Sequence, residues 1–443
     1  MKIQAIVQAL LVGWELTFLW CFLPAPIAAA TAPKSFHTLT TLDADLANFR
    51  LGKLRDELAK MPAGAERDYL AGLLANRCGQ VSQSIEFLQR ALPSLRQAKD
   101  ARASIALKTL ADDYTKNLNY GAAAKMYDDL FDLFPGENKG GTRDDAGVLH
   151  LLSGVQPMTI DWHGPTRLKT ARNAIGSRVI ELDVNGVKEQ WLLDTGANYS
   201  CVSRSFAQRL GLKILPGFAQ TGSGLTGLEN RLQAAVIPTM QVGGATLKNV
   251  IVLIFDDANL NIHIGDRSYQ INAILGYPAF QAMRVITFRR DGEFEAGPST
   301  YQNGTEIPMY MRRLTPVVNL RANGVTLPFT LDTGASGTEL SIRYYERFRH
   351  SNLSWKPGEE ETSGAGGNIR RTIYTQPVLR LGIGSKTAIL KDVSVTPKKT
   401  NSGLDELYGN IGQDMFANFE SFTLDFADMR FKIGAPVLPK TPR

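Results

Sequence analysis

Two aspartates stand in one four-residue frame, Asp194-Thr195-Gly196-Ala197 and Asp332-Thr333-Gly334-Ala335, each directly after an apolar run, Trp191-Leu192-Leu193 or Phe329-Thr330-Leu331. A carboxylate can take a proton and a carboxylic acid can give one. A pair sharing a single proton therefore supplies both halves of a hydrolysis, deprotonating water while protonating the leaving group. Like charges a few ångströms apart resist joint ionisation, so one titration moves down, the other up, and the pair keeps one proton over an acidic-to-neutral window. This chemistry demands that the turns carrying Asp194 and Asp332 meet. Gly196 and Gly334 suit that demand, because residues without a side chain let two backbones approach closely and adopt unusual dihedrals.

The elements around the aspartates repeat in the same order. The hairpin-turn dipeptides Asn185-Gly186 and Asn323-Gly324 precede them, a short helical stretch follows each, and a glycine-rich segment comes next (Gly222 to Gly227 against Ser363 to Gly367). Strands at Lys248–Val252 and Lys391–Val395 follow, then a short element that ends in an apolar residue and a glycine, Ile274-Leu275-Gly276 or Asn410-Ile411-Gly412. Gly276 lies 82 residues beyond Asp194 (276 − 194) and Gly412 lies 80 beyond Asp332 (412 − 332), a register that two chance motifs would not keep. β-rich runs such as Val179–Val184, separated by turns, predict that each copy is a β unit.

Asp-Thr-Gly-Ala after an apolar strand, a glycine-rich hairpin and a late Ile-Leu-Gly resemble the retropepsin-like aspartic peptidases. The tandem arrangement resembles bacterial two-lobed members with a helical N-terminal extension. The resemblance spans about residues 155 to 435. It implies a multidomain chain whose all-β acid-protease lobes, 155–299 and 300–438, are related by a pseudo-two-fold axis, with a peptide or protein substrate in the cleft between them. It implies an aspartic endopeptidase with Asp194 and Asp332 as catalytic residues around a shared water, needing no metal or organic cofactor. Thr195 and Thr333 would cross-link the two catalytic loops through their hydroxyls, beside Gly196 and Gly334. Gly276 and Gly412 would admit a close chain crossing behind each loop. Gly222, Gly224 and Gly227, with Gly364, Gly366 and Gly367, become candidate flaps that close over substrate, against the alternative of ordinary glycine hairpins. Neither segment carries the tyrosine of pepsin-like flaps. One chain holds both halves of the site, so a monomer suffices. Two alternatives stay open: a peptide-binding module that does not cut, and pairing of lobes between chains.

The elements that flank this unit are of another kind. Residues 45–135 show apolar positions three and four apart and predict helices, among them Ser82–Pro93 and a run from Leu110 to Pro135. The second resembles a tetratricopeptide unit and would recruit a protein partner, with a plain helical hairpin bundle as the alternative. The breaker cluster Pro135-Gly136-Glu137-Asn138-Lys139-Gly140-Gly141 predicts an exposed linker over 136–154. Residues 1–30, with Lys2, an apolar stretch from Ile3 to Leu23 and Ala28-Ala29-Ala30, predict an export signal, hence a periplasmic or extracellular location, or a membrane anchor if uncleaved.

Composition narrows the rest. Of 443 residues, 44% are hydrophobic and 21% charged, ordinary globular values with room for several domains. The net charge of +6 comes from scattered basic pairs, which argues against nucleic-acid binding. The 3 cysteines are too few for a disulfide framework, and Cys201 is expected to pack on the helix after the first motif. The 5 histidines are dispersed without metal-ligand spacing. Ser203 and Ser205 lack a Gly-x-Ser-x-Gly elbow, and no phosphate-binding loop is present.

Overall fold

The computed structural model describes residues 42–222, 229–264, 267–298, 305–351, 354–364, 367–400 and 403–437. The candidate signal at 1–30 lies outside them, and no helix among the described residues is long and apolar enough to cross a membrane.

The described residues open with a helical stretch at 42–47, followed by helices α1 (Leu51–Leu58), α2 (Ala65–Arg77), α3 (Val81–Gln97), α4 (Arg102–Lys116), α5 (Tyr120–Leu133) and α6 (Gly140–Leu152). α2 packs against α3 and α4 against α5. Gly72 permits the first contact, since a Cβ there would stand 2.5 Å from Leu88 Cγ. A buried polar group ties the helices together: Asn76 Nδ2 donates to Asp113 Oδ1 at 2.7 Å and Ser84 Oγ to Asp113 Oδ2 at 2.5 Å. Burial pushes the Asp113 carboxyl up to about 6, against the pull of Lys116 and these donors. The expected helix at Ser82–Pro93 runs on through Pro93 to Gln97.

The segment 136–154, read above as an exposed linker, contains α6. Gly140 opens that helix at φ 49°, and its Ala146, Val148, Leu149 and Leu152 are buried. α6 packs against α5 and along the strand Ala219–Gly222, and that apolar face overrides the weak helix propensity of its glycines.

The rest of the body is largely β-sheet. A nine-stranded sheet holds Arg178–Val184, Val187–Leu193, Ser200–Ser203, Ala273–Leu275 and the long hairpin Glu229–Val242/Ala245–Phe255. A thirteen-stranded sheet holds Thr315–Ala322, Val325–Leu331, Gly409–Ile411 and the hairpin Gly367–Ile383/Lys386–Val395. Asn185-Gly186 and Asn323-Gly324 each adopt positive φ at both residues, the left-handed pair that a two-residue hairpin requires. Strand Val285–Arg289 of the first repeat pairs antiparallel with Ser421–Asp425 of the second. Phe288, Phe422 and Phe416 stack across this seam, with ring centroids 4.8 and 4.0 Å apart. Residues Ala44–Arg443 form one compact unit.

Candidate active site

Each aspartate ends a strand that a second strand clamps in parallel. Val187–Leu193 runs beside Ala273–Leu275, and Asp194 N donates to Leu275 O at 3.1 Å. Val325–Leu331 runs beside Gly409–Ile411, and Asp332 N donates to Ile411 O at 2.9 Å. Beyond each strand the chain turns around its own carboxylate. Asp194 Oδ1 accepts from Gly196 N (2.8 Å) and Ala197 N (3.1 Å), and Asp332 Oδ1 accepts from Gly334 N (2.8 Å) and Ala335 N (2.9 Å).

The two turns meet and cross-link reciprocally. Thr195 Oγ1 donates to Leu331 O (3.0 Å) and accepts from Thr333 N (3.1 Å); Thr333 Oγ1 donates to Leu193 O (2.7 Å) and accepts from Thr195 N (3.0 Å). All four bonds are buried, where an unmade partner costs most. The glycines face the opposite carboxylates. A Cβ on Gly196 would stand 2.6 Å from Asp332 Cγ, and one on Gly334 would collide with Asp194 Cγ. No larger residue fits either place while the carboxylates are this close. Behind the turns, a Cβ on Gly276 would meet the Tyr199 carbonyl at 2.5 Å, and one on Gly412 would meet Ala335 O at 2.9 Å. Both glycines thus admit a chain crossing.

Asp194 and Asp332 are each half-buried. Burial holds the Asp194 carboxyl well above the usual carboxylate range, helped by the Asp332 charge and the hydrogen bond between the two acids, against the pull of the Gly196 and Ala197 N–H groups. A carboxyl that keeps its proton beside a second carboxyl can serve as a general acid.

Several residues around the turns were not singled out by their sequence pattern. Asn410 Nδ2 donates to Asp332 Oδ2 at 2.8 Å, Thr330 Oγ1 stands 2.5 Å from Asn410 Oδ1, and Gln413 Nε2 donates to Thr333 O at 2.6 Å. The available signal was an asparagine where the first repeat has Ile274. Ser177 Oγ donates to Gly334 O at 3.0 Å. On the other side the helices reach the first turn: Tyr120 of α5 lies 6.4 Å, ring to ring, from Tyr199. Arg313, in a hairpin turn of the body, pairs with Asp112 (3.5 Å) and Asp145 (2.7 Å) on α4 and α6. In the second turn the positions equivalent to Asn198 and Tyr199, Ser336 and Gly337, are exposed.

Cys201 sits on strand Ser200–Ser203, not on the following helix, because that strand pairs in parallel with residues 252–255 and antiparallel with Ala273 and Ile274. Burial and the Asp194 charge push its thiol up, so it is no nucleophile. Of the candidate flap glycines, Gly222 pairs with Glu229 and Gly364 with Gly367 at the tips of hairpins, while Gly224, Gly227 and Gly366 lie outside the described residues. Among the described residues no group of three or more His, Cys, Asp or Glu could hold a metal ion.

A family model described as aspartyl protease matches residues 180–279, the stretch that contains Asp194, Thr195, Gly196 and Gly276. That match supports an aspartyl protease of the pepsin/retropepsin-like clan. No curated protein matches the chain.

Proposed function

We propose that the chain is an aspartic-type endopeptidase that hydrolyses peptide bonds with a water activated between Asp194 and Asp332. The observation that carries this reading is the reciprocal fit of the turns, in which each glycine leaves room for the other turn's carboxylate and each threonine bonds across. Two acids so close share a proton, and their sharing supplies base and acid to one peptide bond. In this reading the two repeats are lobes related by a pseudo-two-fold axis, at 155–299 and 300–438. The glycine-rich segments that hold Gly222, Gly224 and Gly227, and Gly364, Gly366 and Gly367, serve as flaps that exclude water from the bound peptide. The site needs no cofactor and is complete in a monomer. The helices at 45–135 serve as a tetratricopeptide-like scaffold for a protein partner, and the N-terminal segment directs export to the periplasm or exterior.

The test is digestion of a mixed peptide library from pH 3 to 8, with and without pepstatin and over a dilution series. Cleavage that pepstatin stops and whose specific rate survives dilution supports the intrachain dyad. Folded protein that cuts nothing at any pH favours peptide binding without cleavage, and a specific rate that falls on dilution favours lobes paired between chains.

A further inference from the structure

The Oδ1 atoms of the two aspartates have equivalent donors, whereas the Oδ2 atoms do not. Asp332 Oδ2 accepts from Asn410 Nδ2 at 2.8 Å. The 2.5 Å from Thr330 Oγ1 to Asn410 Oδ1 suits an O–H···O bond, so the threonine hydroxyl holds the amide oxygen and leaves the NH2 facing Asp332. Strand register sets this arrangement, since Thr330 stands opposite Asn410 on the adjoining strand. In the first repeat the same register places Leu192 opposite Ile274, and both are buried hydrocarbon. The donors that Asp194 has among the described residues are the Gly196 and Ala197 N–H groups, both on Oδ1, with Asp332 as its side-chain partner.

We infer that Thr330 and Asn410 are positioning residues that make Asp332 the ionised member of the pair and leave the shared proton on Asp194. The inference rests on the dyad proposed above. An N–H donor stabilises a carboxylate, and a hydrocarbon wall favours the neutral acid. The other ionisable groups beside the pair do not reverse this order. Glu339, next to Asn410 on the adjoining strand, is held by Arg371 at 2.7 Å and Thr396 at 2.8 Å, and Cys201, beside Ile274, keeps its proton.

The assignment gives each carboxyl one direction of transfer. Asp332 takes a proton from water as the water oxygen bonds to the scissile carbonyl carbon, and Asp194 gives its proton to the carbonyl oxygen, forming a tetrahedral diol. When the C–N bond breaks, Asp332 passes its proton to the amine nitrogen and Asp194 recovers one from a diol hydroxyl. The pair returns to its starting state.

The test uses Thr330→Val and Asn410→Leu, which keep shape and remove the relay, and Thr330→Ser, which keeps the hydroxyl. The acidic limb of kcat/KM against pH, which reports ionisation of the base, moves up by about one pH unit in the first two variants and stays in place in Thr330→Ser. A limb that does not move in either relay variant, while cleavage continues, overturns the inference. If the wild type cuts nothing, the endopeptidase reading fails, and the relay is still tested by carboxyl titration with 13C-labelled aspartate, assigned through Asp194→Asn and Asp332→Asn. Asp332 ionising at lower pH than Asp194 supports the relay, and the reverse order sinks it.

Discussion

The two Asp-Thr-Gly turns share every bond that joins them and differ in what surrounds them. The first is backed by Leu192, Ile274 and Cys201, and its Tyr199 leans on Tyr120 of the helical region. The second is backed by Thr330, Asn410 and Gln413, and its Ser336 and Gly337 are exposed. A dyad made of two identical turns would hold its proton symmetrically. Here the shared geometry brings the carboxylates together, and the unlike walls distinguish them. Features common to both turns should therefore tolerate no change on either side, while features on one side should have one-sided effects.

The largest expected effect comes from Gly196→Ala or Gly334→Ala. Each puts a methyl where the opposite carboxylate stands, so both should lose cleavage and cost about 1–3 kcal/mol in denaturant unfolding. A tolerated alanine on one side alone would break the equivalence of the turns. Thr195→Val and Thr333→Val come next, each removing a buried donor and acceptor across the contact. Each should cost about 1–3 kcal/mol, and the pair should be non-additive in a double-mutant cycle. Arg313→Leu acts on the side of the helices only. With its guanidinium part-exposed, the loss should be about 1 kcal/mol, read as a lower midpoint of thermal unfolding. The smallest effect is a pH slope. A carboxyl raised on folding contributes its full stability below the unfolded value, near 4, and loses it as pH rises through the folded value. Asp194→Asn should therefore unfold like the wild type at about pH 4 and become the more stable of the two toward neutral pH. A difference that grows toward acid would contradict the raised titration.

What could be read in the sequence follows from which residues chemistry leaves no choice about. The twin Asp-Thr-Gly frames, Gly276 and Gly412 were legible because two chains crossing within contact distance admit only glycine there. Asn185-Gly186 and Asn323-Gly324 were legible for a similar reason, both needing positive φ. α6 was not, because Gly140-Gly141 reads as a breaker, and the helix depends on the burial of Val148, Leu149 and Leu152 against elements distant in sequence. Cys201 was assigned to a helix because a four-residue strand between a turn and a helix has no period of its own, and its pairing with Leu253 is long-range. The relay through Thr330 and Asn410 was hidden for the opposite reason: each occupies a place in an otherwise apolar strand, and only cross-strand register reveals that they face one another.

The central claim is that Asp194 and Asp332 act as one unit on one peptide bond. Its most direct test compares Asp194→Asn, Asp332→Asn and the double variant, each verified as folded, in the same peptide digestion. The account predicts that either single change lowers cleavage by at least about a thousandfold and that the double variant is no worse, as expected of residues that work as a unit. A single variant that still cuts at the wild-type rate would contradict the shared dyad.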